Sequence, residues 1–260
     1  MLEYGRLQQV QQHMNISEDF YSVQGEGITA GIPAYFIRLR GCNLMCGGSK
    51  AKLVKEGKAS WWCDTEAVWK MGNEVSNDEL IGKFQQAGQL ENILGGRTHL
   101  IWTGGEPLMP KNVDDIGRFL FYVDQTYNSN RLYNEVETNG TFPLEKQGPI
   151  FQQINCSPKL SNSGMPESRR IVPAAIQSIM DHPNSWFKFV VSREKDVEDI
   201  ENDYVGPFNI PESRVILQPA SDSMATLPGV TRICMELTKK YGYRTMPRLH
   251  ILAWDKVTGV

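Results

Sequence analysis

Three cysteines, Cys42, Cys46 and Cys63, follow an apolar run of the sequence. Three thiolates can hold three irons of a 4Fe-4S cluster and leave the fourth iron open to a small molecule, whereas four thiolates are typical of an electron carrier or a structural zinc site. The set therefore predicts a cluster with one reactive iron. A zinc site is one alternative, although the paired C-x2-C spacing and an obvious fourth ligand are missing. The other alternative is that Cys63 is a thiol of the hydrophobic core and binds no metal.

Residues 48–61 lie between the second and third cysteines, and we interpret them as an insertion in the cluster-binding loop. Without this segment the run would be the compact GCNLMCGWCDT. The segment has few apolar residues to bury and one acid, Glu56, so it is expected to be solvated. Closing a longer loop costs only about 0.6 kcal/mol per doubling of length, so the insertion need not prevent ligation. Its basic residues are Lys50, Lys52, Lys55 and Lys58.

The composition indicates one large cytoplasmic domain of 260 residues. The net charge of −3 gives no reason to expect nucleic-acid binding. We see neither an apolar run that could span a bilayer nor a signal-peptide core at the N-terminus. Five cysteines do not suggest a disulfide framework, and a reducing cytosol is the expected compartment. Cys156 and Cys234 are interpreted as buried thiols.

Strand-like and helical patterns alternate along the chain, which predicts an α/β fold with a parallel sheet and right-handed crossovers. The units are too few for a full eightfold barrel and enough for a partial one. Ser76 and Glu79 could form a capping box at the start of one helix. Further helices are predicted at 112–127, 171–182, 194–201 and 230–241. Strands are predicted at 34–40, 98–102, 132–137, 151–157, 186–191, 213–219 and 248–252.

Polar turns follow most of these strands: GCN, TGGEP, ETNG, SPK, the Ser192-Arg193 turn and QPAS. In parallel α/β barrels the carboxyl ends of the strands carry the active site, so these turns are expected to form one site. The glycines and acid of TGGEP could hold an ammonium-carboxylate group. Glu137 could accept hydrogen bonds from ribose hydroxyls. Each turn taken singly could also be an ordinary loop.

Together these motifs resemble the 7-carboxy-7-deazaguanine synthase family of radical S-adenosylmethionine (SAM) enzymes. The resemblance covers SVQGEG, FIRLRGCN, WCDT, TGGEP, VETNGT, SPK, LQP and RLH, almost the whole chain. One departure is plain: the family usually places two residues between the second and third cysteines, and here there are sixteen.

The resemblance implies a partial (β/α)6-type TIM barrel that spans residues 1–260 as one radical SAM domain. It also implies a 4Fe-4S cluster, SAM and Mg2+ as cofactors. The cluster would donate an electron to SAM, and the resulting 5'-deoxyadenosyl radical would take a hydrogen from 6-carboxy-5,6,7,8-tetrahydropterin. Ring contraction and loss of ammonia would then give 7-carboxy-7-deazaguanine, a step of queuosine-type biosynthesis.

Site residues follow from the same resemblance. Thr65 matches the position of a Mg2+ ligand, although Asp64 is the better donor on charge alone. Trp62 would pack on the adenine of SAM. The other residues expected to bind SAM are Thr103, Gly104, Gly105, Glu106, Glu137, Ser157, Lys159 and Gln218.

The pterin is expected to meet Gln24, Glu26, Arg38 and His250. Glu26 could accept its guanidine-like N–H groups, and Arg38 could pair with its carboxylate. His250 could equally be a strand histidine satisfied by its neighbours. Family members can use their C-terminal carboxylate on the substrate, and that role stays open for Val260 because the chain runs on through AWDKVTGV.

The resemblance further implies a homodimer and a flavodoxin-type electron donor, without a membrane or a direct nucleic-acid partner. The lysines of residues 48–61 suggest the hypothesis that this segment docks an acidic donor. Two other functions remain open from the sequence. One is a radical SAM enzyme that activates a protein partner, and the other is a non-catalytic protein that binds a cluster or zinc.

Overall fold

One nine-stranded sheet forms the centre of the computed structural model, which describes residues 13–129, 131–144, 149–257 and 259–260. Its spatial order is β3-β1-β2-β4-β5-β6-β7-β8-β9, so β3 and β9 are the two edges. The strands are β1 His13–Val23, β2 Pro33–Leu39, β3 Asn73–Ser76, β4 His99–Gly104, β5 Asn134–Thr138, β6 Gln153–Cys156, β7 Ser185–Val191, β8 Val215–Pro219 and β9 Arg244–Thr245.

Strand β1 pairs antiparallel with β2 and β3, and every later pairing from β2 to β9 is parallel. Because parallel neighbours need crossovers, helices follow most strands. This open, mostly parallel sheet confirms the predicted partial barrel. The helices are α1 Lys52–Lys55, α2 Glu66–Trp69, α3 Asn77–Gln86, α4 Leu90–Leu94, α5 Pro110–Tyr127, α6 Glu167–Arg170, α7 Pro173–Met180, α8 Glu194–Ile200, α9 Gly206–Phe208, α10 Leu227–Tyr241 and α11 Leu249–Trp254, with a π-helical turn at Glu201–Val205.

The core lies between the sheet and these helices. Trp102 of β4 is fully buried and meets Phe119 of α5 edge to face, with ring centroids 5.7 Å apart. Cys156 and Cys234 are fully buried, as predicted, and burial raises the pKa of Cys234 to about 12. Such thiols behave as small apolar side chains. Within the described residues, no helix is both long and apolar enough to cross a bilayer.

One strand prediction was wrong, and two strands were not predicted. Residues 249–252 of the predicted strand 248–252 form the start of helix α11, and the true last strand is the two-residue β9 before it. A short apolar run does not distinguish a strand from a helix by its periodicity. Strands β1 and β3 were not predicted, because the charged pair Glu18-Asp19 interrupts the first and the second has only four residues. The capping box of Ser76 and Glu79 was predicted correctly.

Candidate active site

A cavity of about 750 Å³ lies at the carboxyl ends of the strands, where the sequence placed the polar turns. Every predicted site residue except Glu106 lines it. These residues are Gln24, Glu26, Arg38, Cys42, Cys46, Trp62, Cys63, Thr65, Thr103, Gly104, Gly105, Glu137, Ser157, Lys159, Gln218 and His250.

The three cysteines form one side of this cavity, which we name the cysteine wall: Cys42, Cys46 and Cys63. The N–H of Cys63 donates to the carbonyl of Cys46 at 3.1 Å, which closes the loop across the insertion. Two sulfurs receive N–H groups at 3.4 Å, Cys42 from the main chain of Leu44 and Cys63 from the indole of Trp69. Donors of this kind stabilise thiolate ligands and tune an iron–sulfur cluster.

Burial raises the pKa of Cys42 to about 11 and that of Cys46 to about 12. In the protein alone these groups are therefore neutral thiols at physiological pH, and metal binding must displace their protons. Among the described residues, no three His, Cys, Asp or Glu side chains converge as one metal ion would require. Thiolates that each bind a different iron need no such convergence, so the wall suits a cluster better than zinc.

The TGGEP turn crosses the cysteine loop at very short range. The N–H of Gly105 donates to Leu39 at 3.1 Å, and that of Glu106 donates to Gly41 at 2.8 Å. A Cβ at Gly105 would overlap the carbonyl of Gly41, and Gly104 has a φ of +125°. These glycines are therefore needed for the loops to cross, in addition to any contact with a ligand.

Glu106 lies beneath the cavity and is fully buried. Its carboxylate accepts the Thr138 hydroxyl and the N–H of Asn139 at 2.7 Å each, and the N–H of Leu108 at 2.8 Å. Burial raises its pKa, and these hydrogen bonds partly oppose that shift. Glu106 thus joins the ends of β4 and β5, and it supports the turn from below.

Asn139, which the sequence suggested only as a turn residue, links the ETNG turn to the cysteine loop. Its side-chain amide donates to the Asn43 oxygen at 3.0 Å and lies 3.8 Å from the sulfur of Cys42. The Asn43 amide donates in turn to Thr141 at 2.8 Å. The cysteine loop is therefore fastened to two strand ends.

The opposite side of the cavity carries a set of paired charges around the buried Lys188, which we name the charge cluster: Glu26, Glu137, Lys188 and Arg248. Glu26 accepts from Lys188 at 2.6 Å and from Arg248 at 2.7 Å, and Lys188 lies 3.7 Å from Glu137. Burial alone would raise the pKa of Glu26, but the two cations hold it well below its usual value. Burial alone would lower the pKa of Lys188, and Glu137 and Glu26 raise it instead.

The charge cluster is held by the QGEG turn and by helix α11. Gln24 donates to Glu137 at 3.0 Å. The N–H of Leu249 donates to Gly25 at 2.9 Å, and a Cβ at Gly25 would overlap the ring of His250. The His250 ring lies 3.8 Å from Glu26, and burial lowers its pKa although that carboxylate raises it. His250 is therefore a neutral group at physiological pH.

Sequence reasoning did not assign Lys188 or Arg248 to the site. Lys188 lies in WFKFVV, where a single charge inside an apolar strand was the available signal. Arg248 belongs to the quoted RLH motif, but its partner Glu26 lies far away in the sequence. Arg38 donates through Nε to Glu18 at 2.7 Å, and both side chains line the cavity. The main-chain oxygen of Val260 accepts the Ser22 hydroxyl at the cavity edge.

Comparisons with known proteins identify the family of the chain. The 7-carboxy-7-deazaguanine synthase of Pyrobaculum aerophilum is 32% identical over 251 residues, which cover 95% of this chain and 97% of that protein. The chain belongs to the 7-carboxy-7-deazaguanine synthase family. The synthase of Aquifex aeolicus is 29% identical over 90% of this chain and 91% of its own. No family model matches the chain.

The fold of this chain is also similar to a solved structure. The crystal structure of QueE from Escherichia coli aligns with a TM-score of 0.60 at 22% identity, over 90% of this chain and 92% of that chain. As a member of the family, the chain is a radical SAM lyase of queuosine-type biosynthesis, and the family implies an iron–sulfur cluster and SAM. This assignment replaces the two alternatives that the sequence left open.

The cavity of this chain fits SAM as well as the cluster. The side-chain oxygen of Gln218 is buried and has no hydrogen-bond partner within the described part of the chain, so an acceptor is available. Lys159 donates to Ser157 at 3.0 Å and lies 5.7 Å from the centre of the Trp61 ring. Trp62 is 45% exposed beside the third cysteine. A polar acceptor, a cation and an exposed aromatic face match the groups of SAM.

Proposed function

We propose that the cysteine wall holds the cluster and the charge cluster orients 6-carboxy-5,6,7,8-tetrahydropterin, with SAM between them. When bound, the cluster and SAM supply a 5'-deoxyadenosyl radical that removes a hydrogen from the pterin. The observation that supports this assignment most directly is the cavity itself, because both walls face the same 750 Å³ space. A small shared cavity keeps the reacting groups close and limits the access of water.

On the SAM side, we assign the methionyl group to Thr103, Gly104 and Gly105, whose turn lines the cavity. Glu106 acts as a positioning residue here, since its carboxylate is already satisfied by three protein donors. Glu137 would accept from the ribose. The remaining contacts are assigned to Trp62, Ser157, Lys159 and Gln218.

On the pterin side, Glu26 accepts the guanidine-like N–H groups of the substrate. Lys188 and Arg248 hold Glu26 in its ionised form, so it is ready to accept before the substrate arrives. Arg38 keeps its terminal nitrogens for the pterin carboxylate while its Nε is bound to Glu18. Gln24 and the neutral His250 complete the contacts. The substrate thus meets charges that the protein has already fixed.

For Mg2+ we propose Thr65 as a ligand, in agreement with the preference of this ion for oxygen donors. The Thr65 hydroxyl lies 3.5 Å from the sulfur of Cys63 and lines the cavity. The rival ligand Asp64 is paired with Arg248 at 3.4 Å. Thr65→Val should raise the Mg2+ concentration needed for half-maximal turnover, and Asp64→Asn should leave it nearly unchanged. The reverse pattern would move the assignment to Asp64.

The ligand assignment is tested by Cys63→Ala, with Cys234→Ala as the matched control. We expect the first variant to lose most of its iron and all SAM cleavage after anaerobic reconstitution, since an Fe–S cluster is held by its thiolates. The control removes a buried thiol that does not line the cavity and should keep both. Full iron content in Cys63→Ala would show that the stretched loop does not ligate the cluster.

We further infer a homodimer that works in the cytoplasm with a flavodoxin-type donor. The dimer is supported by an exposed aromatic side chain of β1, since Tyr21 is 42% exposed. The compartment is supported by five cysteines that form no disulfide. Sedimentation equilibrium of the holoenzyme tests the dimer, and a monomer at micromolar concentration would contradict it.

A further inference from the structure

The insertion, residues 48–61, is not a free loop. The N–H of Ser60 donates to the carbonyl of Asn162 at 2.8 Å, and the Trp61 indole donates to the Asn162 side chain at 2.8 Å. At the other end, the N–H of Gly47 donates to Ser163 at 2.8 Å. Asn162 is itself buried and donates to Val190 of strand β7 at 2.9 Å. The segment is therefore fastened to the body of the domain at both ends.

The lysines of the insertion are exposed to solvent. It buries none of its side chains, as expected from the sequence. The side chains of Lys52 and Lys58 are 74% and 67% exposed, and both pair with Glu56, at 3.8 Å and 2.9 Å. Four lysines against one glutamate leave a surplus of positive charge on a chain whose net charge is −3. The insertion therefore forms a basic surface that is anchored to an otherwise acidic protein.

The acids that adjoin this surface are already paired. Glu66 is bound by Lys70 and accepts the Ser49 hydroxyl at 3.0 Å and the N–H of Lys50 at 3.1 Å. Asp64 pairs with Arg248. The positive surplus is therefore available to a partner in solution.

The position of the surface gives it a function. The insertion begins shortly after Cys46 and ends shortly before Cys63. Both are cluster cysteines, and the N–H of Cys63 donates to the carbonyl of Cys46 at 3.1 Å. A protein bound to residues 48–61 would thus be next to the cluster loop. Electron transfer slows steeply as the distance between donor and cluster increases. A donor bound at this surface would therefore transfer its electron faster than one bound elsewhere.

We propose that residues 48–61 are the docking surface for an acidic one-electron carrier protein that reduces the cluster. The proposal rests on the proposed function and names the partner of that same site. Opposite charges across an interface steer encounter and fix orientation more than they add affinity. The lysines should therefore act on the rate of productive encounter with the donor and not on the chemistry in the cavity.

The test compares two variants with the same change in net charge. The first replaces Lys50, Lys52, Lys55 and Lys58 by Gln, and the control replaces Lys111, Lys195, Lys239 and Lys240, four exposed lysines outside the insertion. Each holoenzyme is assayed with dithionite and with two reduced acidic probes, Escherichia coli flavodoxin and a plant-type 2Fe-2S ferredoxin.

With at least one probe protein, the insertion variant should show an apparent KM for the donor raised about tenfold at low salt, and the control less than twofold. The wild-type KM should rise with ionic strength, and that of the insertion variant should rise much less. Dithionite-driven turnover should be equal in all three proteins.

An unchanged KM in the insertion variant, or an equal rise in the control, would overturn the proposal. So would a loss of dithionite-driven turnover in the insertion variant, because the segment would then matter only for the structure of the site. Failure of both probe proteins to support wild-type turnover would also contradict it. Absence of product with dithionite in the wild type would instead contradict the proposed function.

Discussion

The two walls of the cavity differ in where their charges come from. In the charge cluster, two carboxylates pair with two cations that the protein itself supplies, with Lys188 5% exposed. In the cysteine wall, burial leaves Cys42 and Cys46 as neutral thiols until metal replaces their protons. The substrate side is thus preset by the fold, whereas the cluster side is completed by its cofactor.

This difference indicates which interactions each wall depends on. A buried ion pair is costly to break because the remaining charge has no water around it. The cluster loop is held instead by hydrogen bonds from neighbouring turns, and these are individually weak. Damage to the charge cluster should therefore appear as lost stability, and damage around the cysteines as lost retention of iron.

The largest effect is expected from Lys188→Met, which leaves Glu26 and Glu137 short of a buried cation. The free energy of unfolding of the metal-free protein should fall by about 3–5 kcal/mol, measured by denaturant titration. Adding Glu26→Gln should recover part of the loss. A fall of under about 1 kcal/mol, as for an exposed pair, would show that the charge cluster is not preset.

A smaller effect is expected from Asn162→Ala, which leaves the Trp61 indole and the Val190 carbonyl without their partner. Stability should fall by about 1–3 kcal/mol, and a chelator should remove iron from the holoenzyme severalfold faster. Asn184 is a matched control, because it accepts from Trp186 at 2.9 Å and donates to Gln152 at 2.8 Å.

Asn184→Ala should therefore lose stability without faster release of iron, since it lies at the start of β7 and away from the cavity. Equal rates of iron release in the two variants would contradict a specific role for Asn162 in holding the cluster loop.

The smallest effect is expected for the contribution of Glu26 to stability at acidic pH. Because the native pKa of Glu26 is depressed below its usual 4.5, its stabilising effect is complete above that value. The effect should decline as the pH falls below 4.5, where the unfolded chain takes up the proton first, and vanish below the native pKa. The difference in unfolding free energy between wild type and Glu26→Gln should shrink accordingly in metal-free protein. A difference that is constant from pH 6 to pH 3 would contradict the depressed pKa.

The sequence predicted the parts of the site that are local in the chain. Cys42 and the turns TGGEP, ETNG and SPK follow strands closely, so the strand pattern was enough to bring them together, and Cys63 was added by the motif resemblance. The contacts of Glu106, Asn139 and Asn162 were missed because each joins segments far apart in the sequence. Helix α11 was mistaken for a strand because its six residues are too few to show a helical period.

The stretched cysteine loop should build a working cluster opposite a preset substrate wall. An anaerobic assay tests this most directly, with reconstituted protein, SAM, Mg2+, dithionite and 6-carboxytetrahydropterin, and with product read by mass spectrometry beside an iron and sulfide count. We expect 7-carboxy-7-deazaguanine together with a full complement of four irons per chain. Full iron content with SAM cleavage but without that product would contradict the assignment of the substrate wall, and failure to retain iron would contradict the cysteine wall.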